Sequence, residues 1–125
     1  MNPKTLPALA LVALGAVLPA AHAATVTTVM SNLDNPRGLA FGPEGALYVV
    51  EAGRGGTGPC ALLRGVLRCY GPSGAITRLW HGTQQRVVEG LPSYTDPAGA
   101  VITGAHDSAF MGRGNAHVSG GFGAD

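Results

Sequence analysis

The residues of this chain whose types and neighbours could support chemistry are Glu51, Cys60, Cys69, His106 and Asp107. An imidazole beside a carboxylate, as in His106-Asp107, can ligate a metal or polarise a water. The plainer reading is that Asp107 caps a turn and His106 packs beside it. Glu51 stands just ahead of a glycine-rich stretch, where a carboxylate could hold a cation. One carboxylate is not a site, because divalent ions take three or more oxygen or nitrogen ligands, so a solvated acid at a strand end is the simpler expectation. Arg54, followed by Gly55-Gly56, could cradle an anion or ride on an exposed flexible loop. His81 and His117 have no acid beside them in sequence.

Cys60 and Cys69 are the only cysteines. They flank Ala61 to Arg68, long enough to fold back and bring the sulfurs together, which predicts a local disulfide. The spacing is too wide for a redox C-x-x-C, and two cysteines without a nearby histidine make a poor zinc site. No G-x-S-x-G, phosphate-binding loop or paired catalytic carboxylates occur, so hydrolase and nucleotide chemistry of those kinds is not indicated.

The N-terminus constrains where the rest must work. Lys4 and the apolar run Leu6 to Leu18 lead to Ala21-His22-Ala23, the small-x-small pattern that signal peptidase reads. Residues 1–23 thus read as a signal peptide cleaved before Ala24, with 24–125 exported to the periplasm or the medium. The apolar run is roughly a dozen residues, whereas a spanning helix needs about 20, so the sequence offers no stable membrane anchor. Lys4 is the only lysine, and its loss takes the formal net charge from +1 to zero. Such a balance gives no footprint for nucleic acid and leaves an unidentified small molecule or protein as the partner. No cofactor is assignable from these residues.

The elements that must position these side chains read as short strands. With 20 glycines, one tryptophan and thinly spread large apolar residues, the chain suits strands joined by tight turns, since glycine reaches positive φ without a Cβ penalty. Expected strands are Thr25–Val29, Gly38–Phe41, Ala46–Glu51, Ala75–Trp80 and Gln85–Val88. Gly42–Gly45, Gly71–Gly74 and His81–Gln84 read as turns, and Gly53–Pro59 as a loop. Ala40-Phe41 with Gly45 and Val49 is answered later by Ala109-Phe110 with Gly114 and Val118, and Val29–Leu33 by Val87–Leu91. Ser93–Thr103 reads as an extra loop between the copies. One period of four strands matches a propeller blade, longer than the roughly 40 to 50 residues usual for blades because of the cysteine loop.

The stretch Asn35-Pro36-Arg37-Gly38-Leu39-Ala40-Phe41-Gly42-Pro43-Glu44-Gly45-Ala46-Leu47-Tyr48-Val49-Val50-Glu51 resembles the opening blade of NHL-type propellers. Gly58-Pro59-Cys60, Cys69 to Arg78, Arg86 to Ser93, and His106-Asp107 through Phe110 to Gly123 add a resemblance to the ScyD/ScyE family of exported propeller-like proteins. The resemblance implies an all-β partial β-propeller, about one and a half blades of four-stranded antiparallel sheet. It places Glu51, His106 and Asp107 near the mouth of a central channel. A binding or scaffolding module is the function it favours. Leu33 to Glu51 is also similar to the opening of soluble quinoprotein sugar dehydrogenases, and a strand-end acid such as Glu51 holds the cation in metal-dependent lactonase propellers. The alternative is therefore the N-terminal part of a propeller enzyme, with metal or quinone dependence left open. Fold alone does not choose between them.

Overall fold

A computed structural model describes residues 23–112 and 114–121. The predicted signal peptide therefore lies outside the described residues, apart from its last alanine. The described chain is all-β, without a helix. It has seven strands: β1 (Pro36–Phe41), β2 (Leu47–Glu51), β3 (Cys60–Leu63), β4 (Val66–Trp80), β5 (Thr83–Thr95), β6 (Ile102–Met111) and β7 (Asn115–Gly120). They form an open antiparallel sheet in the order β1-β2-β4-β5-β6-β7, with β3 on β4.

Two hairpins owe their register to left-handed turn pairs. Arg64-Gly65 (φ 52° and 73°) joins β3 to β4, and His81-Gly82 (φ 48° and 77°) joins β4 to β5. Positive φ at both central residues gives a turn whose twist matches the strands it links. The first of these turns pairs Cys60 with Cys69 across β3 and β4, and the two are joined in a disulfide.

The structure corrects several expected elements. Gly71–Gly74 is not a turn but an irregular stretch within β4, where the register with β5 shifts. Its glycines serve close backbone approach: a Cβ on Gly71 would overlap the carbonyl of Gly55, and one on Gly53 would meet the backbone of Ser73. The predicted loop 53–59 does lack strand structure, yet it is held in place. Ser73 Oγ accepts from Arg54 N and donates to Gly55 O, both at 2.8–2.9 Å, and Gly55 N donates to Ser93 Oγ at 2.8 Å. Ser93–Thr95 and Ile102-Thr103 belong to β5 and β6, which leaves a short turn closed by Asp96 Oδ1, the acceptor for Ala100 N and Val101 N. Thr25–Val29 is exposed and carries no strand, because among the described residues no neighbouring backbone offers it a ladder. Ser31 instead exchanges two hydrogen bonds with the Gln84 side-chain amide.

The Ala-Phe part of the internal repeat is reproduced in strand pairing, whereas Val29–Leu33 carries no strand and its counterpart Val87–Leu91 lies within β5. Leu39, Ala40 and Phe41 of β1 pair with Val49, Tyr48 and Leu47, and Ser108, Ala109 and Phe110 of β6 pair with Val118, His117 and Ala116. Position for position, β6–β7 has the register of β1–β2. The second hairpin folds back over the first part of the sheet, where Phe110 stacks on Tyr48 with ring centroids 4.8 Å apart.

Ser108 of β6 is buried at this junction, and its hydroxyl has no hydrogen-bond partner. It borders a gap of about 80 Å³ lined also by Tyr48, Ile76 and Phe110. An unpaired buried hydroxyl costs about 1–3 kcal/mol, so Ser108→Ala is expected to hold or raise stability, by up to about 1 kcal/mol once lost packing is counted. Thermal melts of the two proteins check this; a loss of 1 kcal/mol or more would show that the hydroxyl is satisfied in solution.

Candidate functional site

Among the described residues, the largest fully buried side chains are Glu51, Val50, Thr77 and Ser93. Three of the four are polar, so the centre of the fold is a hydrogen-bonded cluster as much as an apolar core. Buried polar groups are mostly paired in proteins, and in this cluster the pairing is dense.

Strand register builds the cluster. Val49 pairs with Thr77 and Glu51 with Ala75, while Thr77 pairs with Arg86. Residues at i and i+2 share a strand face, so Glu51, Thr77 and Arg86 converge on the side of the sheet that also bears Leu39 and Phe41. Glu51 is fully buried and accepts four hydrogen bonds. They come from Asp34 N (2.5 Å), the Thr77 hydroxyl, and Arg86 Nε (3.3 Å) and Nη2 (2.8 Å). Arg86 Nη2 also reaches Asp34 Oδ2 at 2.9 Å, and Arg54 Nη2 reaches Asp34 Oδ1 at 2.6 Å. The result is a neutral relay of alternating charge, Arg54, Asp34, Arg86 and Glu51.

Burial alone would raise the Glu51 pKa. The hydrogen bonds from Arg86, Asp34 N and Thr77 outweigh it and hold the carboxyl below its ordinary value. Arg86 is driven the other way, above the usual guanidinium range, chiefly by its bonds to Glu51. Glu51 is thus held as the carboxylate at neutral pH, with both oxygens accepting hydrogen bonds. It is neither a proton shuttle nor the solvated strand-end acid that its position suggested.

Beside the relay lies a polar groove of about 330 Å³ walled by Asp34, Arg54, Ser73, Arg86 and Glu89. The Arg54 side chain is 75% exposed at its lip. Such a groove can offer one partly free guanidinium and one carboxylate to a polar ligand. Its only hydroxyl, Ser73, is already engaged on both sides.

The chain matches no family model, no curated protein and no solved structure.

His106 and Asp107 both lie exposed on β6, at a register shift between Ala105 and Asp107. Asp107 Oδ1 accepts from Ser108 N at 2.8 Å, and the side chain rests against Gly38 of β1, where a Cβ would collide with it. Asp107 thus caps the backbone of the bulge. Among the described residues, no three His, Cys, Asp or Glu side chains are grouped as metal ligands. Glu51 is enclosed by its own relay, away from such a role.

Asp34 and Arg86 went unnoticed in the sequence. The available signal was Arg86 within the strand-like Gln85-Arg86-Val87-Val88, an arginine among apolar residues that asks for a buried acid. Which acid answers it is settled only by the pairing of β2, β4 and β5.

Proposed function

We infer that this chain is an exported module of the ScyD/ScyE-like propeller type that binds or scaffolds rather than catalyses. The observation that carries this reading is the identical register of β1–β2 and β6–β7, with the second hairpin seated face to face on the first. In a propeller, successive blades repeat a hairpin register and bury their faces on one another. The sheet order β1-β2-β4-β5, continued by β6 paired to β5 and packed against β1, suits one blade and the start of the next. The Cys60–Cys69 bridge suits an oxidising compartment. Among the described residues, no helix is long and apolar enough to cross a membrane.

A binding role is supported by the state of the acids and hydroxyls. Glu51 and Asp34 are tied to guanidiniums, Ser73 is doubly engaged, and Asp107 caps its own strand. None of them is left poised as a general base or a nucleophile.

Export is tested by intact mass spectrometry of protein recovered outside the cytoplasm, which should begin at Ala24. Retention of residues 1–23 would remove the secreted reading. The enzyme alternative, a metal-dependent or quinone-dependent propeller, is tested by calorimetry with divalent metals. Little heat is expected; stoichiometric micromolar binding abolished by His106→Ala would establish a metal centre and overturn the binding-module reading.

A further inference from the structure

The repeated register specifies not only two similar hairpins but also which face of one covers which face of the other. On β1–β2, the paired residues Phe41 and Leu47, with Leu39 and Val49, point to one side, and Ala40 and Tyr48 to the opposite side. On β6–β7, Phe110 and Ala116, with Ser108 and Val118, occupy the positions of the first set; Ala109 and His117 occupy those of the second. The Phe110 set lies on the Tyr48 side of the first hairpin, with Phe110 stacked on Tyr48. The packing rule inside this chain is thus a phenylalanine face on a Tyr48-type face.

Among the described residues, that rule leaves one face of each type over. Phe41 is 68% exposed and Leu39 64% exposed, a side-by-side apolar pair of the phenylalanine type. On the outer side of the second hairpin, His117 stands where Tyr48 stands in the first, beside exposed Ala109 and Met111. Asp107, His117 and Ser119 border a shallow groove of about 330 Å³ there.

We propose that two copies of this chain associate head to tail, the Phe41–Leu39 face of one seating on the Ala109–His117 face of the next. Phe41 then stacks on the His117 imidazole as Phe110 stacks on Tyr48. The contact joins different patches on the two copies, so it is heterologous and propagates beyond a dimer instead of closing as a two-fold pair. This inference rests on the register and packing of the hairpins, not on the propeller assignment or on what the groove beside Arg86 binds.

Sedimentation velocity on the chain from residue 24 onward, between 1 and 200 µM, should show concentration-dependent species larger than a dimer. Phe41→Asp should weaken association at least tenfold. Leu62→Asp, which replaces a side chain 69% exposed on β3, should leave it unchanged. Both positions are too exposed for their loss to unfold the chain, and circular dichroism confirms it. Direction is read by mixing Phe41→Cys chains with His117→Cys chains and adding a short bismaleimide; the native cysteines are bonded to each other and do not react. Cross-links are expected in the mixture and not in either variant alone. A monomer throughout the range, equal effects of Phe41→Asp and Leu62→Asp, or cross-linking of Phe41→Cys with itself would each overturn the proposal. Failure of the propeller assignment would move none of these readouts.

Discussion

Arg86→Met is expected to lower the unfolding free energy by about 2 kcal/mol, more than an exposed pair contributes and less than is lost on breaking a fully buried one, because Glu51 is buried while the Arg86 side chain is 35% exposed. The variant keeps most of the side chain's apolar length, so the loss reports the charge. Glu51 would remain fully buried, with Asp34 N and the Thr77 hydroxyl as its only donors and no counter-ion. Arg54 provides the comparison, since it also binds Asp34 but is mostly exposed, and exposed pairs contribute about 0–1 kcal/mol. Urea unfolding followed by Trp80 fluorescence at submicromolar concentration, where association is minimal, separates the two. Equal losses for Arg86→Met and Arg54→Met would show that Glu51 is not buried as described.

The same carboxylate gives a dependence on pH whose sign is fixed. Its folded pKa lies below the unfolded one, so its contribution is complete above the unfolded value. That contribution disappears as pH falls through the folded value. Glu51→Gln should be less stable than the parent at neutral pH, and the gap should close on acidification. A gap that widens towards acid would mean that burial dominates and the folded pKa is raised.

Loss of the Cys60–Cys69 bridge is the second large effect. The cysteines are 9 positions apart, and closing so short a loop stabilises by roughly 2.5 kcal/mol in the chain-entropy model. The bridge joins directly paired residues of β3 and β4, next to the point where β4 turns from β3 to meet the loop of residues 53–59. The double variant Cys60→Ala/Cys69→Ala should therefore melt earlier, and limited proteolysis should cut first near Arg64 and Arg68. Oxidised, denatured protein should yield no reactive thiol. Two free thiols there, or a double variant as stable as the parent, would count against the bridge.

Much of the strand content was legible because it depends on local chemistry. Ala46–Glu51 and Ala75–Trp80 combine β-branched and aromatic residues; the first forms β2 from Leu47 onward and the second lies within β4. The return of Ala-Phe, Gly and Val at constant spacing was enough to anticipate the β6–β7 hairpin. The Cys60–Cys69 pairing was readable because its loop is short and no other cysteine competes.

The errors fall where one residue type serves two physical purposes. Gly71–Gly74 has the composition of a turn, but its glycines are there so that the backbone at 53–56 can lie against β4. Thr25–Val29 has the composition of a strand but no ladder partner, and strand propensity without pairing does not make a strand. Arg54 looked like part of a free loop because the serines that hold that loop, Ser73 and Ser93, come from distant strands.

By itself, then, the sequence determined an all-β chain, its main hairpins and its disulfide, each of which depends on residues within about one hairpin of each other, and the Ala-Phe repeat, which shows as the same local pattern recurring along the chain. The tertiary structure alone decided that Glu51 is an interior anion rather than a surface one, and that Arg86 and Asp34 are its companions. It also decided which faces of the two hairpins are covered and which stay open. These outcomes depend on strand order and register, which bring together positions such as Asp34 and Arg86 that are 52 residues apart. No local pattern encodes such a pairing, because its free energy arises only when water is excluded from all the partners at once.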